Sequence, residues 1–144
     1  MKRIKAVILL TITVVALWSC DKDKKPETPL VVGEWRLENY FGQNASEGVP
    51  VEVYVGFSAD MTFVVYQRLG GGHYESFSGK YTFSDGVISG IYEDGNPWGG
   101  SYGCSVDGDR LTLSLVGVDG IQSIYLRTTI PNTVKKDAED YASI

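Results

Sequence analysis

Apolar and polar positions alternate along most of this chain with a period of two. Over residues 51–57, Val51, Val53, Val55 and Phe57 fall on one face, with Glu52 and Tyr54 on the other. Over residues 62–69, Phe63, Val65, Gln67 and Leu69 share a face. A period of two is the signature of a pleated strand with one buried face. The same pattern predicts strands over 30–41, 77–83, 87–92, 100–106, 111–116 and 122–129, eight strands in all. Asp-Gly pairs at 85–86, 94–95, 107–108 and 119–120 stand in the gaps between the last five. Asp tolerates positive φ and Gly adopts it freely, so Asp-Gly between alternating runs is a strong hairpin signal. Strands joined by tight turns pair with their sequence neighbours, and residues 77–129 therefore read as an antiparallel meander. Gly70-Gly71-Gly72 sets it apart from the first three strands and predicts a loop. Eight antiparallel strands in sequence order can close on themselves and so remove their exposed edges. The expected fold is all-β, an eight-stranded up-and-down barrel over 31–131. The alternative is a two-layer sandwich, although the Cys-Trp-Cys spacing of an immunoglobulin domain is absent. A barrel of eight strands is either filled by its side chains or holds one small ligand.

The alternation stops at both ends. Residues 132–144 are polar, with Val134, Ala138 and Tyr141 at helical spacing, and predict a tail with one or two helical turns. At the start, Lys2, Arg3 and Lys5 precede an apolar run over 6–18, which leads into Leu17-Trp18-Ser19-Cys20. The run is short for a bilayer span and suited to a signal-peptide core. Its end resembles the lipobox of bacterial lipoprotein precursors: an aliphatic residue three before the cysteine, a small residue just before it, then Cys. Trp18 is a bulky departure at a permissive position. The resemblance implies a signal peptide over 1–19, lipid on Cys20, and a location in the bacterial cell envelope, anchored to the outer membrane and facing the periplasm or the cell surface. Residues 20–30, charged and carrying Pro26 and Pro29, then form a solvated tether.

Charge narrows the partners. Without residues 1–19 the chain keeps 10 Lys+Arg against 18 Asp+Glu, a net charge of −8; residues 33–130 alone carry −7. An acidic domain repels phosphate backbones, so nucleic acid is not an expected partner. With Cys20 carrying lipid, Cys104 has no intramolecular disulfide partner and reads as a small buried hydrophobe.

Gly33-x-Trp35 on the first strand, the eight-strand meander and Arg127 on the last strand together resemble the lipocalins and the wider calycin group, in particular the compact lipocalin-like lipoproteins of bacterial envelopes. The resemblance implies that Trp35, with Gly33 beside it, closes the barrel floor and that Arg127 packs over it. The long helix that follows the last strand in large lipocalins has no counterpart here beyond residues 132–144.

Catalytic chemistry finds little support. His73 is the sole histidine and sits beside three glycines, away from any evident nucleophile. Too few His and Cys remain for a zinc site, and the Asp-Gly pairs are explained by turn geometry rather than calcium. Glu75 and Glu93 lie near strand ends, but the sequence fixes no separation that would mark a glycosidase pair. No catalytic residue, metal or cofactor is expected. Trp98, in the longest loop of the meander, reads either as a lid on which a flat ligand stacks at the barrel mouth or as a tryptophan folded back over the barrel end. Tyr92, Tyr102, Tyr125 and Arg127 complete the candidate ligand set. Tyr125 and Arg127 share a face. Pointing inward, they resemble the Arg/Tyr pair with which fatty-acid-binding relatives hold a carboxylate. Pointing outward, Arg127 caps Trp35 and Leu126 fills the core, which the more apolar Ile124/Leu126 face favours. The inward aromatics Trp35, Phe57, Phe63, Phe77, Tyr81, Phe83, Tyr92 and Tyr102 are bulky enough to fill a barrel. Two functions follow: a lipid-anchored binder of a small apolar or amphipathic ligand, or a non-enzymatic interaction protein with a filled barrel whose loops meet a protein or glycan partner.

Overall fold

The structure, a computed structural model, describes residues 28–40, 43–45 and 48–144; the expected signal peptide and Cys20 lie outside them. Its long strands are β1 (Gly33–Tyr40), β3 (Val51–Phe57), β4 (Thr62–Leu69), β5 (Glu75–Ser84), β6 (Val87–Tyr92), β7 (Tyr102–Asp107), β8 (Arg110–Leu115) and β9 (Gln122–Arg127). The two-residue β2 (Gln43–Asn44) turns back on the end of β1. Each long strand pairs antiparallel with its neighbour in sequence, and β1 pairs with β9, which closes the barrel.

The two ends of the barrel differ. One carries tight turns. Asp85 and Gly86 both take positive φ (51° and 74°), the geometry a two-residue hairpin demands. The Asp-Gly pair at 107–108 sits one residue earlier in its hairpin: Asp107 pairs with Arg110, and Gly108-Asp109 form the second turn, with positive φ at Gly108 alone (59°). Ser58–Met61 makes the third, where Asp60 accepts hydrogen bonds from the Thr62 backbone and hydroxyl. The other end carries the loops after β1, β4, β6 and β8, among them the triple glycine. This is the mouth.

At the closed end Trp35 is wholly buried, and its indole N–H donates to the Val31 carbonyl at 2.8 Å. The Arg127 guanidinium lies 4.2 Å from the indole ring centre and 3.5 Å from Asp109. Gly33 permits this stack. A Cβ there would stand 2.6 Å from the Arg127 guanidinium, and its φ of 143° is one that side chains disfavour. Trp35 and Arg127 are cross-strand partners and so share the inward face. Arg127 therefore points inward and caps Trp35 at once, because it stands at the barrel end where inward means beneath the floor. Leu126, expected to fill the core in a capping arrangement, faces outward and is 37% exposed.

A second apolar cluster lies outside the barrel. The helix α1 (Asn132–Ala142) is longer than the expected one or two turns and buries Val134 and Ala138. They pack with Ile130, Tyr54 and Tyr74. Tyr54 thus does point away from the barrel interior, as its alternation implies, but the helix covers it. Asp137 fastens α1 to the mouth loop: it accepts from the Tyr74 backbone N–H at 2.7 Å and lies 3.1 Å from His73, whose ring stacks on Tyr141. The first of these bonds, then the second, holds the Asp137 carboxyl below its ordinary value. His73 is an exposed loop residue, as expected, and this contact holds its ring in place.

Candidate ligand cavity

The site is set by an irregularity in the wall. β6 and β7 share only the rungs Val87↔Gly103 and Ile88↔Tyr102. Above them β7 is replaced by the loop itself. After the turn at Asp94-Gly95 the chain folds back on β6: Tyr92 N–H donates to Asn96 O at 2.8 Å, and Trp98 N–H to Gly90 O at 2.9 Å. Pro97, bridged to Ile91, faces out, so the pleat turns Trp98 inward. Gly90 makes room for it. A Cβ on Gly90 would stand 2.3 Å from the indole. Trp98 then packs edge-on against Phe63 (5.0 Å between ring centres), Tyr102 (6.3 Å) and Phe57 (6.4 Å).

This corrects both sequence readings of Trp98. It is neither a lid nor folded over the barrel end. It is a plug halfway down the interior, and it divides the barrel. Below it Phe57, Phe63, Tyr81 and Trp35 belong to one packed core. Above it a cavity of about 270 Å³ remains, walled by Val53, Val55, Val65 and Leu113, with Gln67, Ser123, Tyr92, Tyr102 and Tyr125 as its polar groups. For scale, a dry cavity of about 150 Å³ accepts benzene.

The polar groups that line the cavity are not used by the fold. None of the side chains of Gln67, Ser123, Tyr92, Tyr102 and Tyr125 has a protein hydrogen-bond partner among the described residues. Tyr125 is enclosed by protein except where the cavity reaches it. Burial, then the neighbouring Tyr102 and Tyr92, pushes its phenol up to about 12. Tyr92 is raised as well, by burial first, then by Tyr102 and Asp94. Both are neutral donors at any physiological pH. Among the described residues, the cavity lining holds no charged side chain.

Of the sequence candidates, Trp98, Tyr92, Tyr102 and Tyr125 come together here, and Arg127 does not. It is at the floor, on Trp35, so the Arg/Tyr carboxylate clamp is not formed. Alternation along β9 put Tyr125 and Arg127 on one face correctly, but two residues of rise separate cavity from floor. Phe77, expected inside, sits at the rim with 40% of its surface exposed. Gln67 and Ser123 were passed over because polar residues on an apolar face read as interruptions. Gly90, in an otherwise apolar strand, was the available sign of a close approach.

Cys104 lies on the inward face of β7, and burial pushes its thiol up to about 11. Since the thiolate is the reactive form, Cys104 in the native protein should resist iodoacetamide at pH 8 and react once the chain is unfolded. Peptide mass spectrometry of the Cys104 fragment measures both, and fast native labelling would place the thiol at the surface.

A closed eight-stranded antiparallel barrel, with a Trp–Arg floor at one end and an apolar cavity open at the other, defines the calycin class. The family model of the lipocalin-like domain matches residues 31–113, more than half the chain, and the chain belongs to that family. Among solved structures it is similar to an uncharacterised protein from Bacteroides eggerthii DSM 20697, at 19% identity and a TM-score of 0.50, over 68% of this chain and 99% of that one. It is likewise similar to a protein from Bacteroides uniformis ATCC 8492, at 18% identity and a TM-score of 0.53, over 77% and 99% of the two chains. At these identities the likeness is one of fold. No curated protein matches.

Proposed function

We propose that this chain is a lipid-anchored protein of the bacterial cell envelope whose barrel binds a small, largely apolar ligand above Trp98. The observation that carries the reading is the cavity itself: aromatic and aliphatic walls with a few unpartnered hydroxyl and amide groups, the usual make-up of a ligand site. Binding rather than catalysis is favoured by the state of the reactive groups. The Cys104 thiol is half-buried and held protonated, and His73, though paired with Asp137, has no hydroxyl or thiol bonded to it among the described residues. Without a nucleophile the pair does only structural work.

Anchoring is compatible with an open mouth. Val31, two residues before β1, lies buried in the core cluster with Trp35 at the closed end. A lipid on Cys20 would therefore hold the barrel from its floor side. Cys20→Ser should move the protein from the membrane fraction to a soluble or uncleaved form, read by fractionation and intact mass. Unchanged fractionation, with no lipid on the wild type, would remove the lipoprotein reading and leave the cavity untouched.

The ligand reading is tested with fluorescence. The expected signal is quenching or a spectral shift on adding small aromatic compounds, since the Trp98 indole forms the cavity floor. Trp98→Phe keeps the packing and removes that reporter, leaving Trp35 behind the core, so its response should be much smaller. Equal responses from the two proteins would sink the assignment. A second reading, a mouth surface that meets a macromolecular partner, is favoured by Val49, Leu69, Val116 and Val118, all at least half exposed at the mouth. Co-purification of one stoichiometric protein, lost when these four are made polar, would support it.

A further inference from the structure

The cavity continues past the mouth. Val65, Gln67 and Tyr92, at its upper edge, also line a wider cleft of about 650 Å³ on the rim. The cleft is bounded further by Phe77 and by the turn Glu93-Asp94-Asn96. The two compartments differ in charge. The cavity is neutral, whereas the cleft holds Glu93 and Asp94 with no cation among its described lining residues. Glu75, the cross-strand partner of Gln67, adds a third carboxylate to the same rim.

These acids are not spent on the fold's own cations. Among the described residues the ion pairs lie elsewhere, with Arg68 on Glu52, Arg127 on Asp109, and Lys135 on Glu34. Lys80 shares an outer groove with Glu93 but makes no ion pair with it. Asp94 is held in one orientation, its Oδ1 accepting from the Asn96 backbone N–H and its Oδ2 from the Asn96 side-chain amide, both at 2.9 Å. Each oxygen keeps a lone pair free. In the adjoining cavity the Tyr125 hydroxyl keeps accessible surface and has no protein hydrogen-bond partner among the described residues, so it is free to meet the polar part of a ligand.

We propose that the ligand is a small hydrophobic organic cation, an amine whose apolar part fills the cavity and whose ammonium sits in the rim cleft beside Glu93 and Asp94. This rests on the cavity being a ligand site. Tyr92 stands where the compartments meet, and its ring offers an ammonium a π-face next to the carboxylates. An anionic head group would meet the rim acids instead, and Arg127, the one cation of the expected ligand set, is at the opposite end of the barrel.

The test uses three near-isosteric probes that differ in head charge: 2-phenylethylamine, 2-phenylethanol and 3-phenylpropionate. Their affinities for the full-length protein in detergent are measured by calorimetry against a micelle blank. The amine should bind about three- to tenfold tighter than the alcohol, as expected for two partly exposed carboxylates, and the propionate weakest. In Glu93→Gln/Asp94→Asn the amine should fall to the level of the alcohol, while the alcohol is unchanged. Glu93→Gln alone, whose side chain makes no bond in the fold, should remove part of the preference and guards against damage to the Asp94 turn. Alcohol binding equal to amine binding, or a preference that survives the double substitution, overturns the cation and leaves the cavity reading standing. No binding by any of the three overturns both.

Discussion

Trp35→Ala should cost about 3–5 kcal/mol of folding stability, the range for truncating a large buried aromatic. Three losses coincide at this position. The indole is wholly buried, its N–H satisfies the Val31 carbonyl, and its face carries the Arg127 guanidinium. Removing it opens a void where the closing strands β1 and β9 meet the floor, and it leaves the Arg127 guanidinium with Asp109 but without its aromatic face. Urea denaturation of the two proteins measures the loss. A midpoint within error of the wild type would put Trp35 on the surface and remove the Trp–Arg floor from the account.

The second large effect concerns Gly90 and Trp98, and it is one of coupling. A methyl on Gly90 would stand within 2.3 Å of the Trp98 indole. Gly90→Ala should therefore destabilise by about 1–3 kcal/mol, the usual result of overpacking, and should push the indole out of the barrel. Trp98→Ala should cost about 3 kcal/mol or more by emptying the middle of the core. The double variant should be more stable than the sum of the two losses by on the order of 1 kcal/mol or more, because the added methyl occupies space that the indole has vacated. Strict additivity would mean that the two residues do not touch, and the loop would then have to run outside the wall.

Most of the barrel is legible in the sequence, for physical reasons that can be named. Alternation and Asp-Gly turns are local signals, and the long strands from Val51–Phe57 to Gln122–Arg127 follow them closely. The floor was also readable, since Gly33, Trp35 and Arg127 each have one steric or electrostatic role there. What escaped was non-local. Alternation names the two faces of β9 but not which is inner, and the more apolar face, Ile124/Leu126, turned out to be the outer one. Tyr54 reads as outward because nothing in its strand announces that α1 will cover it. Trp98 lies in a stretch rich in Gly and Pro and so reads as loop. Its inward turn depends on Asn96–Trp98 taking the place on β6 that β7 leaves vacant.

The central claim is that the barrel is filled up to Trp98 and hollow above it, and that the hollow part takes a ligand. Methyl NMR of the full-length protein, titrated with 2-phenylethylamine and 2-phenylethanol, tests this most directly. Val53, Val55, Val65 and Leu113 line the cavity, whereas Ile130, Val134 and Ala138 lie under the helix outside the barrel. The account predicts shifts of the first set that saturate with ligand while the second set stays still. Shifts confined to the outer set, or no saturable shift of the four cavity residues with either compound, would contradict it.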